Sequence, residues 1–434
     1  MFGTSGIRGL YGKEVNEGLA IKVANAFSEK DIAIGRDTRK TGIPLSMAAA
    51  SGALAAGRDV ILLGIVPTPT VALATRKHSC NGIMVTASHN PGEYNGMKLI
   101  SQSKEIDREY ERKISERCSR NPILAEWDKV GKTTEDNGTI KNHIDLVLER
   151  VDSQAIMRAK PKVVVDCNGA GAVITPMLMR DLGCDVSVMN DSLEGFARPS
   201  EPNEKNLQGL IERMRSEKAD FGLAHDGDAD RVVIVDDSGS VLPLDVQLAM
   251  MIEHELENSR NRKIISTMEA SLAVREVVEQ NEGSIIITPV GSTYVAESLE
   301  KENALFGGEP CGEYIYKKGV HVPDAILAAA KFAELFCAKG RFSEQKKKYR
   351  QYFMAREKFR AANKYDAVGK IKKEITIEGR RSEEDGIRVD EDDGWFLIRA
   401  SGTEPIVRLT MEYKTAKRLE GRKAQLVEAI KRSL

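Results

Sequence analysis

GIMVTASHN, at residues 82–90, is an unbroken apolar run that passes directly into a loop of small and polar residues containing Ser88, His89 and Asn90. A short apolar run closed by turn residues reads as a buried strand, so Ser88 is predicted to stand just past the strand's carboxyl end. Two later stretches repeat the plan: DFGLAHDGDADR at 220–231 and ALFGGEPCGEY at 304–314. Roughly 40–60 residues upstream of each loop lies another strand pattern. These are DIAIGR at 31–36, KVVVD at 162–166 and KIIST at 263–267. Helical stretches follow them: IPLSMAAASGALAAG, AVITPMLMRDLG and SLAVREVVEQN. Gly57, Gly183 and the Asn-Glu-Gly beginning at Asn281 supply helix stops.

Strands alternating with helices predict α/β layers. The recurrence predicts three related α/β domains, each with a mixed sheet. Ligands of open α/β sheets sit beyond the carboxyl ends of strands, so the three loops are expected to converge on one cleft. The tail has a different pattern. WFLI at 395–398 leads into RASGTEP, VRLTMEY follows at 407–413, and AKRLEGRKAQLVEAIKRSL closes the chain as a helix. That predicts a smaller α+β domain, after a basic helical region around FSEQKKKYRQYF. The expected boundaries are 1–135, 136–240, 241–350 and 351–434, and the charge runs KKKYR and RRSEEDG are expected to be solvated faces.

Composition bounds the function. The 434 residues are too many for one core. Apolar residues make up 41% and charged residues 30%, which is ordinary for a globular protein. With a net charge of −1 there is no basic field to attract nucleic acid. The six cysteines (Cys80, Cys118, Cys167, Cys184, Cys311 and Cys337) form no CxxC pair and are expected to be reduced thiols. No apolar signal-peptide core is visible in MFGTSGIRGLYGKE, and no apolar run reaches the roughly 18 residues of a membrane span. A cytoplasmic chain with no membrane partner is expected.

Four loops carry chemistry. In TASHNPGEYNGMK, Ser88 is a potential nucleophile that needs activation. The loop lacks the G-x-S-x-G pattern of a nucleophile elbow. His89 is either a base or a loop-holding residue, and Lys98 supplies positive charge. In DGDADR, Asp226, Asp228 and Asp230 alternate so that three carboxylates can meet one hard cation, Mg²⁺ or Ca²⁺. The sixth position is Arg231 rather than the glycine of a calcium-binding EF-hand loop. Arg231 is suited to gripping a phosphate. In GGEPCGEY, glycines flank Glu309, whose carboxylate can accept from paired hydroxyls; a plain turn is the competing reading. In RASGTEPIVR, Arg399, Ser401, Gly402, Thr403 and Arg408 gather the donors of a phosphate pocket.

Together these loops, in this order from GTSGIRG at Gly3 to RASGTEPIVR, resemble the α-D-phosphohexomutase superfamily across the whole chain. The superfamily includes phosphoglucomutases, phosphomannomutases and phosphoglucosamine mutases, and this third loop is most similar to archaeal-type phosphoglucosamine mutases. The resemblance implies three domains of one fold and a fourth resembling a TATA-binding-protein-like module. It implies that Ser88 carries the transferred phosphoryl group, and that Mg²⁺ is held by Asp226, Asp228, Asp230 and a Ser88 phosphate oxygen. Arg8, His89, Lys98 and Arg231 match residues around the reacting phosphate. Glu309 matches the reader of sugar hydroxyls, with Cys311 beside it. Arg399, Ser401, Gly402, Thr403 and Arg408 match the pocket for the other phosphate.

Two departures stand out. Bacterial relatives carry G-E-x-S-G-H in the third loop, whereas here Cys311 replaces the serine and Glu313 the histidine. The histidine's role does not transfer to Glu313. Pro289 stands where many relatives have a substrate-holding lysine. The implied activity interconverts a 6-phosphosugar, by preference glucosamine 6-phosphate, with its 1-phosphate through a sugar 1,6-bisphosphate. The enzyme would be a monomer or homodimer whose only partner is a small phosphosugar. A phosphomannomutase or phosphoglucomutase is the alternative. A phosphatase with a carboxylate nucleophile and a non-catalytic sugar-phosphate sensor are more distant ones.

Overall fold

Residues 1–3, 5–401 and 405–434 are described by a computed structural model. Its first strands are β1 (Ile7–Leu10), β2 (Ile32–Arg36), β3 (Val60–Ile65), β4 (Asn81–Val85), β5 (Tyr94–Ser101), β6 (Lys104–Glu105) and β7 (Thr133–Glu135). They form one sheet in the order β1-β5-β4-β2-β3-β7, with β6 paired to β5. The centre of the sheet is parallel, β2 lying between β3 and β4, while β5 runs antiparallel to both β4 and β1. Ile32, Ala33, Ile34, Ile83, Met84 and Val85 are all buried, as expected of strands covered on both faces. One cover is a close pair of helices, Glu17–Ala26 and Gly42–Ala55. Their approach depends on small residues: a Cβ on Gly52 would lie 2.3 Å from the carbonyl oxygen of Ile21.

The second sheet has β8 (Lys162–Asp166), β9 (Asp185–Met189), β10 (Phe221–His225) and β11 (Val232–Val235) in the order β11-β10-β8-β9. It is parallel except for the β10–β11 hairpin. KVVVD forms a strand over its full predicted length. The helix predicted over AVITPMLMRDLG is split. A 3₁₀ turn, Ala170–Val173, is followed by the helix Thr175–Asp181. Ile174 between them has φ −136, and Pro176 sits in the first turn, where its missing N–H costs nothing.

Two compact units emerge, Met1–Gln247 with Cys311–Lys347, and Leu248–Pro310 with Lys348–Leu434. The second contains β12 (Lys263–Thr267), β13 (Ser284–Thr288) and β14 (Phe306–Glu309), parallel with β12 in the middle. The chain then returns to the first unit as β15 (Glu313–Tyr316) and the helix Ala325–Lys339. Val320 and Val322 join the core of the first sheet. Phe336 and Phe342 meet Phe221 of β10 at 5.5 and 5.4 Å between ring centroids.

The last sheet is antiparallel. It comprises β16 (Phe353–Arg360), β17 (Arg380–Ser382), β18 (Ile387–Glu391), β19 (Gly394–Ala400) and β20 (Ile406–Tyr413), ordered β16-β20-β19-β18-β17. The helices Lys364–Glu374 and Ala416–Ser433 bury Val368, Ile371, Leu426 and Ile430 against it. Trp395 and Leu397 pack with Met268. The Glu412 carboxylate takes the Leu272 amide and the Trp395 indole N–H, both at 2.7 Å. The chain is thus three α/β domains with mixed sheets and a C-terminal domain with an antiparallel sheet.

Two predicted solvated runs are less free than expected. In KKKYR, Lys346 reaches Asp236, whose side chain is fully buried, at 2.5 Å. The α-helix Phe342–Gln345 passes into a 3₁₀ turn at Lys346–Lys348, and strand begins at Phe353. In RRSEEDG, Asp385 is half-buried and accepts from the Val290 amide at 3.3 Å and from Arg399 at 3.4 Å. No helix among the described residues is long and apolar enough to cross a membrane.

Candidate active site

Ser88 lies three residues past the end of β4, buried to 1% exposure, with φ +49. A side chain in the left-handed region is strained and persists only where its surroundings over-determine it. Here they do. The Thr86 hydroxyl donates to Asp37 Oδ2 at 2.7 Å and accepts the Ser88 N–H at 2.8 Å. Arg39, itself buried, spends all five of its N–H groups on this region. Nε donates to Asp37 (3.1 Å), Nη1 to the carbonyls of Pro91 (2.5 Å) and Tyr94 (2.7 Å), and Nη2 to those of Ser88 (2.9 Å) and Asn90 (2.6 Å). The Ser200 hydroxyl donates to the Ser88 carbonyl at 2.8 Å and accepts the Gly227 N–H at 2.9 Å. Ser88 Oγ then donates to Asp226 Oδ2 at 2.7 Å and lies 3.3 Å from His89 Nδ1.

The acidic triplet follows β10 in the same way. Asp226, Asp228 and Asp230 are all buried, and one oxygen of each lies within 4.8 Å of the others. Burial and mutual repulsion push Asp226 up and bring Asp230 up to about 6. Asp228 is moved the other way: burial would raise it, but Lys98 and the Thr68 hydroxyl hold it down. Lys98 Nζ is 2.8 Å from Asp228 Oδ2 and also pairs with Asp230. Burial lowers the Lys98 ammonium, and the two carboxylates more than reverse that. Thr68 donates its hydroxyl to Asp228 Oδ2 at 2.5 Å and its amide to the Asp228 carbonyl at 2.9 Å. Asp228 Oδ1 and Asp230 Oδ1 are buried with no hydrogen-bond partner among the described residues. Orphaned carboxylate oxygens in a buried all-oxygen set fit a hard divalent cation such as Mg²⁺.

Cationic residues surround this pair of loops. Arg8 lies on β1 opposite Gly96 of β5, the strand that also carries Lys98. Its buried Nε has no partner among the described residues. The guanidinium of Arg231, burial and Arg8 together hold the His89 imidazole down to about 2, so its ring is neutral. Arg231 lies against Glu313, its Nη2 2.7 Å and Nε 2.9 Å from Glu313 Oε1. Cys311 is half-buried and in no disulfide, in the turn before β15. The first unit therefore brings together Ser88, His89, Lys98, Arg8, Asp226, Asp228, Asp230 and Arg231.

The remaining expected residues belong to the second unit. Glu309 ends β14 as a strand residue and accepts the Gly291 amide at 3.2 Å. Arg399 on β19 is in register with Arg408 on β20, two arginines directly opposite each other. Arg399 also pairs with Asp385 (3.4 Å) and Glu269 (3.6 Å). Ser401 is buried, its amide donating to the Ile406 carbonyl at 3.0 Å and its carbonyl accepting Lys364 Nζ at 2.6 Å. Gly402 and Thr403 lie outside the described residues.

Sequence reasoning missed Asp37, Arg39, Thr68, Ser200 and the Arg231–Glu313 pair. Only GRDTR at 35–39, where a predicted strand ends, offered a local signal.

Four family models match in order: phosphoglucomutase/phosphomannomutase alpha/beta/alpha domain I over residues 1–122, domain II over 141–239, domain III over 244–352, and the C-terminal domain over 354–429. A Methanosarcina acetivorans protein named "Probable phosphoglucosamine mutase" is 39% identical over 422 residues, 95% of each chain. A Thermococcus kodakarensis protein named "Phosphoglucomutase/phosphomannomutase" is 36% identical over 433 residues, 96% of this chain and 95% of its own. The crystal structure of a phosphoglucomutase/phosphomannomutase family protein from Burkholderia thailandensis shares the fold, with a TM-score of 0.86 at 23% identity over 100% of this chain and 97% of that one.

Proposed function

The chain belongs to the phosphoglucomutase/phosphomannomutase family, and from that premise we propose that it interconverts glucosamine 6-phosphate and glucosamine 1-phosphate by way of phosphoserine at Ser88. One observation carries the reading: the Ser88 hydroxyl is held in a strained backbone 2.7 Å from a buried aspartate whose two companions have unpartnered oxygens.

In the first half-reaction, O1 of the 6-phosphosugar attacks phosphorus, the bond from phosphorus to Ser88 Oγ breaks, and the O1 proton passes to a protein base. His89, whose ring is neutral, is the candidate for that base, because Asp228 and Asp230 hold Lys98 as the charged ammonium. The resulting 1,6-bisphosphate turns over, Ser88 Oγ attacks the 6-phosphorus, the bond from phosphorus to O6 breaks, and O6 takes up the proton the base had removed; a bisphosphate activator would charge an unphosphorylated Ser88 by this same step. Such transfers ask the protein mainly for alignment and for charge neutralisation on the phosphoryl oxygens. Mg²⁺ bound by Asp226, Asp228, Asp230 and a phosphoserine oxygen would supply part of that neutral balance. Arg8, Lys98 and Arg231 supply the rest from the chain itself.

Glu309, in the second unit, reads sugar hydroxyls, and Cys311, two residues on where the chain returns to the first unit, is its neighbour in sequence. Arg399, Ser401, Gly402, Thr403 and Arg408 hold the phosphate that is not reacting. A pocket addressed to phosphate rather than to the sugar accepts the bisphosphate in either orientation. The labour follows the chain: residues 1–135 carry the nucleophile, 136–240 the metal ligands, 241–350 the sugar reader and 351–434 the phosphate pocket.

The sugar is supported by the name of the Methanosarcina relative, whereas the Thermococcus name favours glucose or mannose as a second reading. The test is a panel of glucosamine, glucose and mannose 6-phosphates assayed with bisphosphate and Mg²⁺, beside intact-mass analysis for one phosphate lost in Ser88→Ala. Preference for glucosamine 6-phosphate is expected. A phosphate retained in Ser88→Ala, or near-wild-type turnover there, would remove Ser88 from the nucleophile's role.

A further inference from the structure

The ion pair between Arg231 and Glu313 has no place in the chemistry above. Its two residues are 82 positions apart in sequence and meet where the chain returns as β15. The backbone sets the meeting: Arg231 and Glu313 form an antiparallel bridge, and the Val232 amide donates to the Gly312 carbonyl at 3.1 Å. Gly312 has φ +90, and a Cβ there would lie 2.7 Å from the Val232 carbonyl oxygen, so glycine is what lets the strands close up. Side chains directly opposite in such a bridge share a face, which places the carboxylate against the guanidinium.

The geometry is one-sided. Glu313 Oε1 takes both Nε (2.9 Å) and Nη2 (2.7 Å) of Arg231, while Nη1 has no hydrogen-bond partner among the described residues. The side chains are 18% and 10% exposed. The pair is therefore partly withdrawn from water yet leaves one guanidinium nitrogen available. Arg231 directly follows Asp230, and its amide donates to Asp226 Oδ1 at 3.3 Å, so that nitrogen belongs to the neighbourhood of Ser88.

We propose that Glu313 is a positioning residue, which fixes one edge of Arg231 so that the free edge meets a phosphoryl oxygen of the phosphosugar or of phosphoserine from a set direction. A guanidinium on a long side chain has several rotamers, and a buried partner removes that freedom before the phosphate arrives. The competing role, Glu313 as the base that removes the sugar's hydroxyl proton, fits less well. One of its oxygens is already saturated by two charged donors.

This inference rests on the mutase reading, and the experiment separates the two. Full-length wild type, Glu313→Gln, Glu313→Ala, Arg231→Ala and the two double variants are assayed for kcat and KM on the phosphosugar panel, with folding checked by thermal melting. Glu313→Ala is expected to lower kcat by about 10–100-fold, the usual cost of losing a group that orients a ligand-binding residue, with KM little changed. Glu313→Gln keeps an acceptor oxygen in place and retains most of the turnover. In the Arg231→Ala background, neither change at position 313 costs anything further. A base would behave differently: Gln would be as damaging as Ala, and the losses would multiply with Arg231→Ala. Either result overturns the positioning role. If Glu313→Ala does not fold, Glu313→Met, which fills the space but accepts no hydrogen bond from Arg231, takes its place in the cycle with the same expected loss. A wild type with no turnover on any sugar phosphate sinks the mutase reading, and this inference with it.

Discussion

The Ser200 hydroxyl touches the backbone of Ser88, donating to its carbonyl at 2.8 Å while accepting the Gly227 amide at 2.9 Å. One hydroxyl, on a residue 1% exposed, thereby sets the spacing between the serine loop and the acidic loop. The two loops arise from different sheets, so no local turn fixes their distance, and a displacement of about 1 Å at a reacting centre is enough to cost on the order of 100-fold in rate.

Ser200→Ala is therefore expected to lower kcat by roughly tenfold or more while KM stays close to wild type. Ser200→Thr, which keeps the hydroxyl, should recover most of that loss. Steady-state kinetics on the preferred phosphosugar checks both. A change confined to KM would count against the spacing role.

Arg39 has a different failure mode. Replacing it by methionine leaves the buried Asp37 carboxylate without its counter-charge and takes one donor from each of four backbone carbonyls. Breaking a buried pair in this way costs about 3–5 kcal/mol. Denaturant unfolding of Arg39→Met should show that loss in the first unit, together with loss of phosphate at Ser88 by intact mass.

Mg²⁺ should raise the thermal midpoint of the wild-type chain, because a ligand that binds the folded state alone stabilises it by about 2.7 kcal/mol at a hundred times its dissociation constant. Asp228→Asn should shrink or abolish that shift without altering the melting of the metal-free protein to the same degree. Scanning calorimetry over a magnesium series reads this directly, with no substrate present.

Asp136 governs an acid-side dependence away from the site. Its carboxylate is partly exposed and collects Thr139 (2.6 Å), His78 (2.7 Å), Gly138 N (2.7 Å) and Lys77 (3.0 Å). Burial would raise it, but these partners outweigh burial and hold it well below the usual carboxylate range. Its folded pKa is depressed, so its contribution is fully present above the ordinary carboxylate value near ~4 and is lost as pH falls below that. Discounted for solvent screening, it amounts to ~1 kcal/mol. The stability gap between wild type and Asp136→Asn, measured by urea unfolding, should be open at pH 6 and narrow progressively as pH falls below about 4.

Much of this was legible in one dimension. KVVVD and KIIST are strands over their full length because a parallel strand covered on both faces must be continuously apolar. Ser88 and the three aspartates were legible because their motifs sit just past such strands. Arg39 was not, since an arginine in a polar loop looks the same whether it reaches water or four carbonyls. Ser200 and Glu313 were invisible for a related reason. Each acts on a residue more than 80 positions away, and nothing in its own neighbourhood marks the partner. Asp385 was misjudged because a run of charges hides the one member that turns inward to the Val290 amide and Arg399.

The left-handed backbone at Ser88 has a consequence for anyone who evolves this protein in the laboratory. Glycine occupies that conformation without the penalty of about 1 kcal/mol that a side chain carries. Selection for heat resistance alone, blind to turnover, would push codon 88 toward glycine and hand back a sturdier, inert fold. Only a screen that keeps watch on product formation would preserve the less comfortable residue.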